Sequence, residues 1–590
     1  MNSRERMELV SRALGKEECS LCIENVQIVN VFTKEILPGR VFIYGGYIAD
    51  VDYEGNSRCF AKEYVDGRGK FLSPGLIDSH VHIESSMLTP RNFAKAVIPT
   101  GTTTIITDPH EIANVLGMLG IEYVLADSED VPMDYFVLIP SCVPALLGKE
   151  NSGGIFTPAI IEELLLRDRV LGIGEVMDYI GVMNNSKRMV DIIEVAMKHN
   201  KFVQGHAPCV EGNELSAYLC GGPLSCHESQ TKEEALERLR KGMWVDAREG
   251  SLVQNLREIL RGLPDKEHPP LNLTFCSDDK EGYEIITKGH INNSLRIAVE
   301  EGMPPVQAIA CATLHSAVEV GLRNHGAIAP GYVANCVLFD SLTHFEALSV
   351  WYKGVCVAKD GMLLVEPKTA KIATTIEKHN SINIPNLGEK DFLLTTKKEG
   401  SVSATIMSFE HESSLIAHKK VFELPVVDGV VQLQHGDSKL NYIAVINRYG
   451  TETITVAIVE NFHISHGAVA SSVGHDCHNI TVIYTNPSDA LQAVERIKAL
   501  HGGCVCVQDG EIIDEVPLPI GGLLSPLSPE ELHISIEKYN ISLSEHFGIT
   551  HSSPIMRSFF MTLAVIPYIK ITDMGLIDVI TQEFLSVVDE

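Results

Sequence analysis

Between residue 71 and about residue 325, short apolar runs alternate with amphipathic stretches. Phe71 to Ile83, Thr103 to Thr107, Val170 to Gly174, Phe202 to Gly205, Pro223 to Cys226 and Leu271 to Ser277 read as buried strands. Strands covered on both faces are continuously apolar, as in a parallel sheet. Helical spacing recurs over Pro90 to Val97, Glu111 to Ala126, Pro158 to Arg167, Lys187 to Lys198, Lys232 to Lys241, Val253 to Arg261 and Ile291 to Glu300. Strand-helix alternation over about 250 residues predicts a (β/α)₈ barrel of the TIM type.

The flanks have a different rhythm. Leu21 to Val29, Arg40 to Ile48 and Glu63 to Val65 read as short strands, with Gly45-Gly46 as a hairpin turn. After Gly326, strand character returns at Ala334 to Asp340 and Ser349 to Gly354. These segments look like two halves of one small β-domain split by the barrel. Thr369 to Asn386 is polar and reads as a linker. Beyond it, strands at Thr453 to Val459 and Asn479 to Tyr484 mix with helices at Ser488 to Leu500 and from Pro529 to Glu537, an α+β pattern. The predicted division is 1–70 and 326–385 for the split β-domain and linker, 71–325 for the barrel, and 386–590 for the C-terminal α+β domain.

Ligand-type residues stand where the predicted strands end. His80 and His82 are two residues apart, so on a strand both project from one face. Glu84 would join them if the strand continued. Glu175 follows Val170 to Gly174, His206 follows Phe202 to Gly205, and His227 follows Pro223 to Cys226. Asp278 and Asp279 close the run Leu271 to Ser277. In a (β/α)₈ barrel the carboxyl ends of the strands converge on the active site. Each residue alone is better read as structural; six in order, H-x-H, Glu, His, His, Asp, make a metal donor set. If Asp278 faces inward at its strand's end, Asp279 faces away. His110 and Glu111 stand at another strand's carboxyl end and are candidate catalytic residues, while Asp108, before Pro109, reads as a helix cap. Cys226 and Cys276 read as strand packing. Late in the chain, His466 and the run His475 to Asn479 are dense in polar groups. A second metal centre, a glycine-flanked loop, or a loop closing the barrel mouth would each explain them, and the last is preferred.

Composition narrows the partners. The 590 residues carry a formal charge of −29, which argues against nucleic acid or an anionic membrane as partner. Fourteen scattered cysteines form no dense framework, which favours reduced thiols. The polar N-terminal stretch lacks a signal peptide's apolar core, and no run reaches the roughly 18 apolar residues of a membrane span. A cytoplasmic enzyme is expected.

Several motifs resemble the bacterial-type adenine deaminases of the amidohydrolase superfamily. They are PGLIDSHVHIESSM from Pro74, TGTTTIITDPHEIANVLG from Thr100, GIGEVMDY from Gly172, QGHAP from Gln204, CHES from Cys226, CSDDK from Cys276 and GAVASSVGHDCHNI from Gly467. The H-x-H marks the superfamily; HIESSM with TDPHEIAN is more specific. The resemblance implies hydrolysis of adenine to hypoxanthine and ammonia at a binuclear divalent centre of Mn²⁺ or Fe²⁺, with Zn²⁺ also compatible. Many superfamily members bridge their metals with a carboxylated lysine; here Glu175 takes that place. His80, His82 and Glu175 would hold one ion, and Glu175, His206 and His227 the other. Asp278, a ligand position too, would move the proton. Asp279 is a candidate purine contact, Glu84 would bind an extra metal or the purine, and the loop with His475 and His478 would shut water out or hold the purine. Adenine and water are the expected partners, and a homodimer or higher homo-oligomer the expected assembly. A cyclic amide hydrolase of the dihydroorotase or hydantoinase kind, which usually carries the bridging lysine, and a non-catalytic scaffold are the alternatives.

Overall fold

The computed structural model describes residues 1–368, 370–409, 414–433, 440–550 and 560–589. Eight parallel strands form the barrel: β1 (Leu76–Val81), β2 (Thr102–Thr107), β3 (Asp134–Pro140), β4 (Val170–Val176), β5 (Phe202–Gly205), β6 (Ser225–Cys226), β7 (Trp244–Arg248) and β8 (Leu273–Cys276). They pair in chain order. The ring closes through Asp278, whose N–H donates to His80 O at 3.0 Å and whose carbonyl accepts from His82 N–H at 3.3 Å. Helices Pro90–Val97, Pro158–Leu165, Lys187–Lys198, Lys232–Arg240 and Ile291–Glu300 fall within or on the predicted stretches.

The predicted strand Phe71 to Ile83 is two strands. Phe71–Pro74 belongs to a second sheet, and β1 begins after Gly75, where an added Cβ would sit 2.1 Å from Thr103 Oγ1. The predicted helix Glu111 to Ala126 is likewise two, His110–Leu116 and Met118–Asp127, broken at Gly117 with φ 60°.

The second sheet joins both flanks of the barrel. Phe71–Pro74 runs parallel to Cys19–Asn30 on one side and antiparallel to Cys336–Phe339 on the other. The C-terminal region is α+β: a nine-stranded sheet running from Gly400–Phe409 to Glu511–Pro517, helices Pro487–Leu500 and Pro529–Phe547, and a three-stranded sheet ending at Glu583–Leu585. Its core is continuous with that of the barrel: Ile112 and Ala113 share one buried cluster with Leu523, Leu524 and Phe560. The stretch read as a linker contains helix Lys371–Ile376; Glu377, just beyond, meets Arg91 of the barrel at 2.7 Å. Thr369, its first residue, lies outside the described residues. Among the described residues, no helix is long and apolar enough to cross a membrane.

Candidate metal centre

The barrel brings four histidines to one carboxylate. His80 lies in β1 with His82 just beyond it, Glu175 in β4, and His206 and His227 directly after β5 and β6. All five are at most 3% exposed. Glu175 Oε1 is 3.0 Å from His80 Nε2 and 2.9 Å from His82 Nε2. Its Oε2 is 2.5 Å from His206 Nδ1 and 3.5 Å from His227 Nε2. Each oxygen therefore serves a different histidine pair. Asp278 Oδ1 joins the first pair, 3.3 Å from His80 Nε2 and 3.2 Å from His82 Nε2.

The rings are oriented from behind. His80 Nδ1 meets Gln204 Oε1 at 2.8 Å, and His82 Nδ1 meets the Asp108 carbonyl at 2.9 Å. Both partners only accept, so each Nδ1 donates and each Nε2 keeps its lone pair for the centre. Tyr218 OH accepts from His206 N–H at 3.0 Å and donates to Val176 O at 2.7 Å, tying β4 to β5 beside the ligands.

The chemistry of the cluster suits a cation. Of the atoms that face this centre, His80 Nε2 and Glu175 Oε2 lie 3.0 and 2.5 Å from opposite partners yet make no hydrogen bond of acceptable geometry, although buried polar atoms are ordinarily paired. Burial opposes charge on His80, yet Glu175 and Asp278 push its pKa up to about 10. Burial pushes His227 down to about 3 against the pull of Glu175, and His80, whose ring stacks on it at 4.2 Å, pushes it the same way as burial. Protons therefore cannot satisfy the cluster evenly. Divalent ions fit it: His80, His82, Glu175 and Asp278 could hold one, and Glu175, His206 and His227 a second.

The centre floors a cavity whose space, including the part open to solvent, is about 350 Å³. His110, Glu111 and Asp279 line it from barrel loops; His475, Asp476, Leu415, Phe560, Leu563 and Ile566 line it from the C-terminal region. Glu84 is not on the β1 face, because the chain turns into a 3₁₀ segment, Ile83–Ser86; its Oε1 accepts from Ile112 N–H at 3.2 Å. Asp278 and Asp279 both line the cavity, against the alternation expected of a strand. β8 stops at Cys276, and Asp278 has φ 53°. Asp279 accepts a hydrogen bond from Ser85 Oγ. Asp108 is not the helix cap: Pro109 occupies that position, and the buried Asp108 carboxylate faces His110 Nδ1 at 3.6 Å. His475 Nδ1 lies 3.3 Å from Glu111 Oε1, so its loop stands at the barrel mouth of its own chain. His478 is not part of the cavity wall; its Nδ1 accepts from Gly474 N–H at 3.2 Å. The buried Arg448 guanidinium pins this loop by donating to Ser472 O, His478 O and Gly521 O at 3.0, 3.1 and 2.6 Å.

Residues 71–364 match the amidohydrolase family, and residues 414–583 match the adenine deaminase C-terminal domain. The chain is 38% identical to an adenine deaminase of Lysinibacillus sphaericus over 97% of both chains. It is 40% identical to an adenine deaminase of Thermosipho africanus over 98% of both. The chain belongs to the adenine deaminase family. A solved structure of a β-aspartyl dipeptidase from Fervidobacterium islandicum covers 58% of this adenine deaminase family member and 98% of the dipeptidase chain, at 20% identity and a TM-score of 0.44.

This adenine deaminase family member also carries site groups that the sequence reading did not single out. Arg248, at the end of β7, donates through Nη1 to Asp278 Oδ2 at 2.7 Å and to Glu228 Oε1 at 2.5 Å, all three buried. Burial would raise the Asp278 pKa; Arg248 and the histidines hold it well below the usual carboxylate range. The missed signal was β7 itself. Trp244 to Arg248 is a short apolar-rich run between two predicted helices, where the barrel alternation requires a strand. Asp476, beside His475, also lines the cavity.

Proposed function

We propose that the chain hydrolyses adenine to hypoxanthine and ammonia at a pair of divalent ions in the barrel mouth. The observation that carries this reading is the end-to-end likeness to proteins named adenine deaminase, 97% of this chain in one case. His80, His82, Glu175 and Asp278 would hold one ion, with Glu175 shared and His206 and His227 completing the other. Bound there, the ions would lower the pKa of water toward neutrality and so supply the nucleophile at ordinary pH.

The protein's own groups do the rest. Water adds to C6 and the C6–N bond breaks, so a proton must leave the water and reach N1 or the departing nitrogen. Asp278 carries that proton; Arg248, on its second oxygen, holds the carboxylate in place and ionised. Asp279 and His475 contact the purine, and His110 and Glu111 complete the polar wall that faces it. Glu84 steadies the start of the helix bearing Glu111, and His478 steadies the loop bearing His475. Leu415, Phe560, Leu563 and Ile566 roof the cavity and exclude water, which strengthens electrostatic contacts within it.

The donor set contains nitrogen and oxygen but no thiolate, which suits Mn²⁺ or Fe²⁺ better than Zn²⁺. Cys226 and Cys276 adjoin site residues, but Cys226 Sγ accepts from Glu228 N–H and Cys276 Sγ donates to Asp246 O, each at 3.4 Å. The test is spectrophotometric loss of adenine by the Mn²⁺-loaded and chelated chain, run beside dihydroorotate and hydantoin. Metal-dependent loss of adenine supports the reading; faster turnover of either cyclic amide overturns it.

A further inference from the structure

A second set of donors lies beside the first, at the seam between the barrel and the C-terminal region. His110 Nε2 is 3.5 Å from Asp476 Oδ1 and 3.7 Å from Glu111 Oε1. His475 Nδ1 is 3.3 Å from the same Glu111 oxygen and 4.0 Å from the same Asp476 oxygen. Two nitrogens and two oxygens thus form a ring in which each nitrogen faces both oxygens. All four residues are at most 3% exposed.

Three features mark the ring as a cation site. Both carboxyl oxygens of Glu111 and both of Asp476 are buried without a hydrogen-bond partner. The nearby acids are Asp108, 3.6 Å from His110 Nδ1, Glu84 and Asp279, whose charges act on Glu111, and Glu150, whose charge acts on Asp476. The cavity's only lining guanidinium or ammonium, among the described residues, is that of Arg248, engaged by Glu228 and Asp278. Finally, the spacing suits an ion. His110, His475 and Asp476 offer donor atoms that all lie within 4.8 Å of one another, a spacing that could hold one ion, and Glu111 Oε1 lies 3.7 and 3.3 Å from the two histidine nitrogens. The gaps are also too narrow to admit a purine ring.

We propose that His110, Glu111, His475 and Asp476 bind a third divalent cation, distinct from the pair on Glu175. Two imidazoles and two carboxylates suit a first-row ion such as Mn²⁺. Asp108 stands behind His110 as an outer carboxylate, an arrangement that leaves Nε2 free for the ion. Because His110 and Glu111 open a barrel helix while His475 and Asp476 belong to a C-terminal loop, the ion clasps the two regions together at the cavity wall.

The test is metal content. The full chain is saturated with Mn²⁺, freed of excess ion, and analysed for metal per chain, beside Asp476→Asn and His475→Ala. Three ions in the parent and two in each variant are expected. Two ions in the parent, or three retained in both variants, overturn the proposal. Glu175→Gln removes ions from the other site, so loss there is distinguishable. Should the variants not fold, the anomalous difference map of the Mn²⁺-loaded parent crystal decides. A peak enclosed by the four side chains supports the third site, and a map without one overturns it.

Discussion

Asp278→Asn separates charge from shape at the centre of the proposed reaction. Asp278 Oδ1 faces His80 and His82 Nε2 at 3.3 and 3.2 Å, while Oδ2 accepts from Arg248 at 2.7 Å. Asparagine fits the same space but cannot take a proton. One of its two edges must also present N–H groups. Turned toward Arg248, it sets donor against donor; turned toward the histidines, it places hydrogens where lone pairs converge. A positioned acid–base group contributes about 10²–10⁴ in rate, equivalent to about 2.7–5.5 kcal/mol of barrier. kcat for adenine should therefore fall at least about 10²-fold. KM should change less, because the purine is held mainly by neighbouring groups. Asp279→Asn, which disturbs the bond to Ser85, should instead raise KM more than it lowers kcat. The assay is steady-state loss of adenine on preparations of measured metal content. A fully loaded Asp278→Asn protein within tenfold of the parent kcat would refute the assignment. If Asp279→Asn depresses kcat the more, the two roles are reversed.

Glu175→Gln replaces the charge that both histidine pairs share, so metal analysis should find fewer than two ions per chain in the Glu175 centre and turnover should collapse; a full pair with normal turnover sinks the bridge. Lys570 is buried, its pKa pushed down to about 7 by burial, and its Nζ donates to Leu415 O and Phe560 O, two roof residues, at 2.7 and 3.0 Å. Lys570→Met strands those carbonyls at a cost of about 1–3 kcal/mol, and KM for adenine should rise at unchanged metal content; an unchanged KM would show that the roof holds without it. Asp134 is a pH-dependent tie between β3 and the flanking sheet. Burial opposes its charge, but His325 and Lys353 hold its pKa at about 2. Relative to an unfolded value near 3.8, that is about 2–3 kcal/mol of stability, present above about pH 4 and lost as pH falls toward 2. Asp134→Asn should therefore lower the melting temperature of chelator-treated protein at pH 7 and less so at pH 3; equal losses at both would exclude the ionic contribution.

How much the chain discloses depends on how local each signal is. The barrel is readable because β2, β4, β5 and β8 are buried along almost their whole length and built mainly of apolar, β-branched or small residues, with a ligand-type residue at or just beyond each end. β7 is hidden because Asp246 and Arg248 break its apolar run with groups satisfied only by distant partners such as Thr274 and Glu228; β3, apolar from Tyr135 to Pro140, carries no ligand-type residue at its end to single it out. With β7 went Arg248. Glu84 was misplaced because a strand's alternation was carried past Val81 into a 3₁₀ turn, and Asp279 because αL geometry at Asp278 breaks the same alternation. The C-terminal run His475 to His478 declared itself as polar. That His475 and Asp476 enter the cavity while His478 does not is a matter of tertiary docking through Arg448, which no local pattern encodes.

The sheet that straddles the barrel sets a timetable for synthesis. Leu72 pairs with Ile28 on one side and with Leu338 on the other. The first partner leaves the ribosome before Leu72; the second follows 266 residues later. At ~5–20 residues per second, that edge of Phe71–Pro74 waits roughly 13–50 s for its mate while the whole barrel is being made. An unpaired strand edge is a template for wrong pairing. The nascent chain therefore carries an open edge through the synthesis of its own catalytic barrel, and a holding chaperone has that interval in which to cover it.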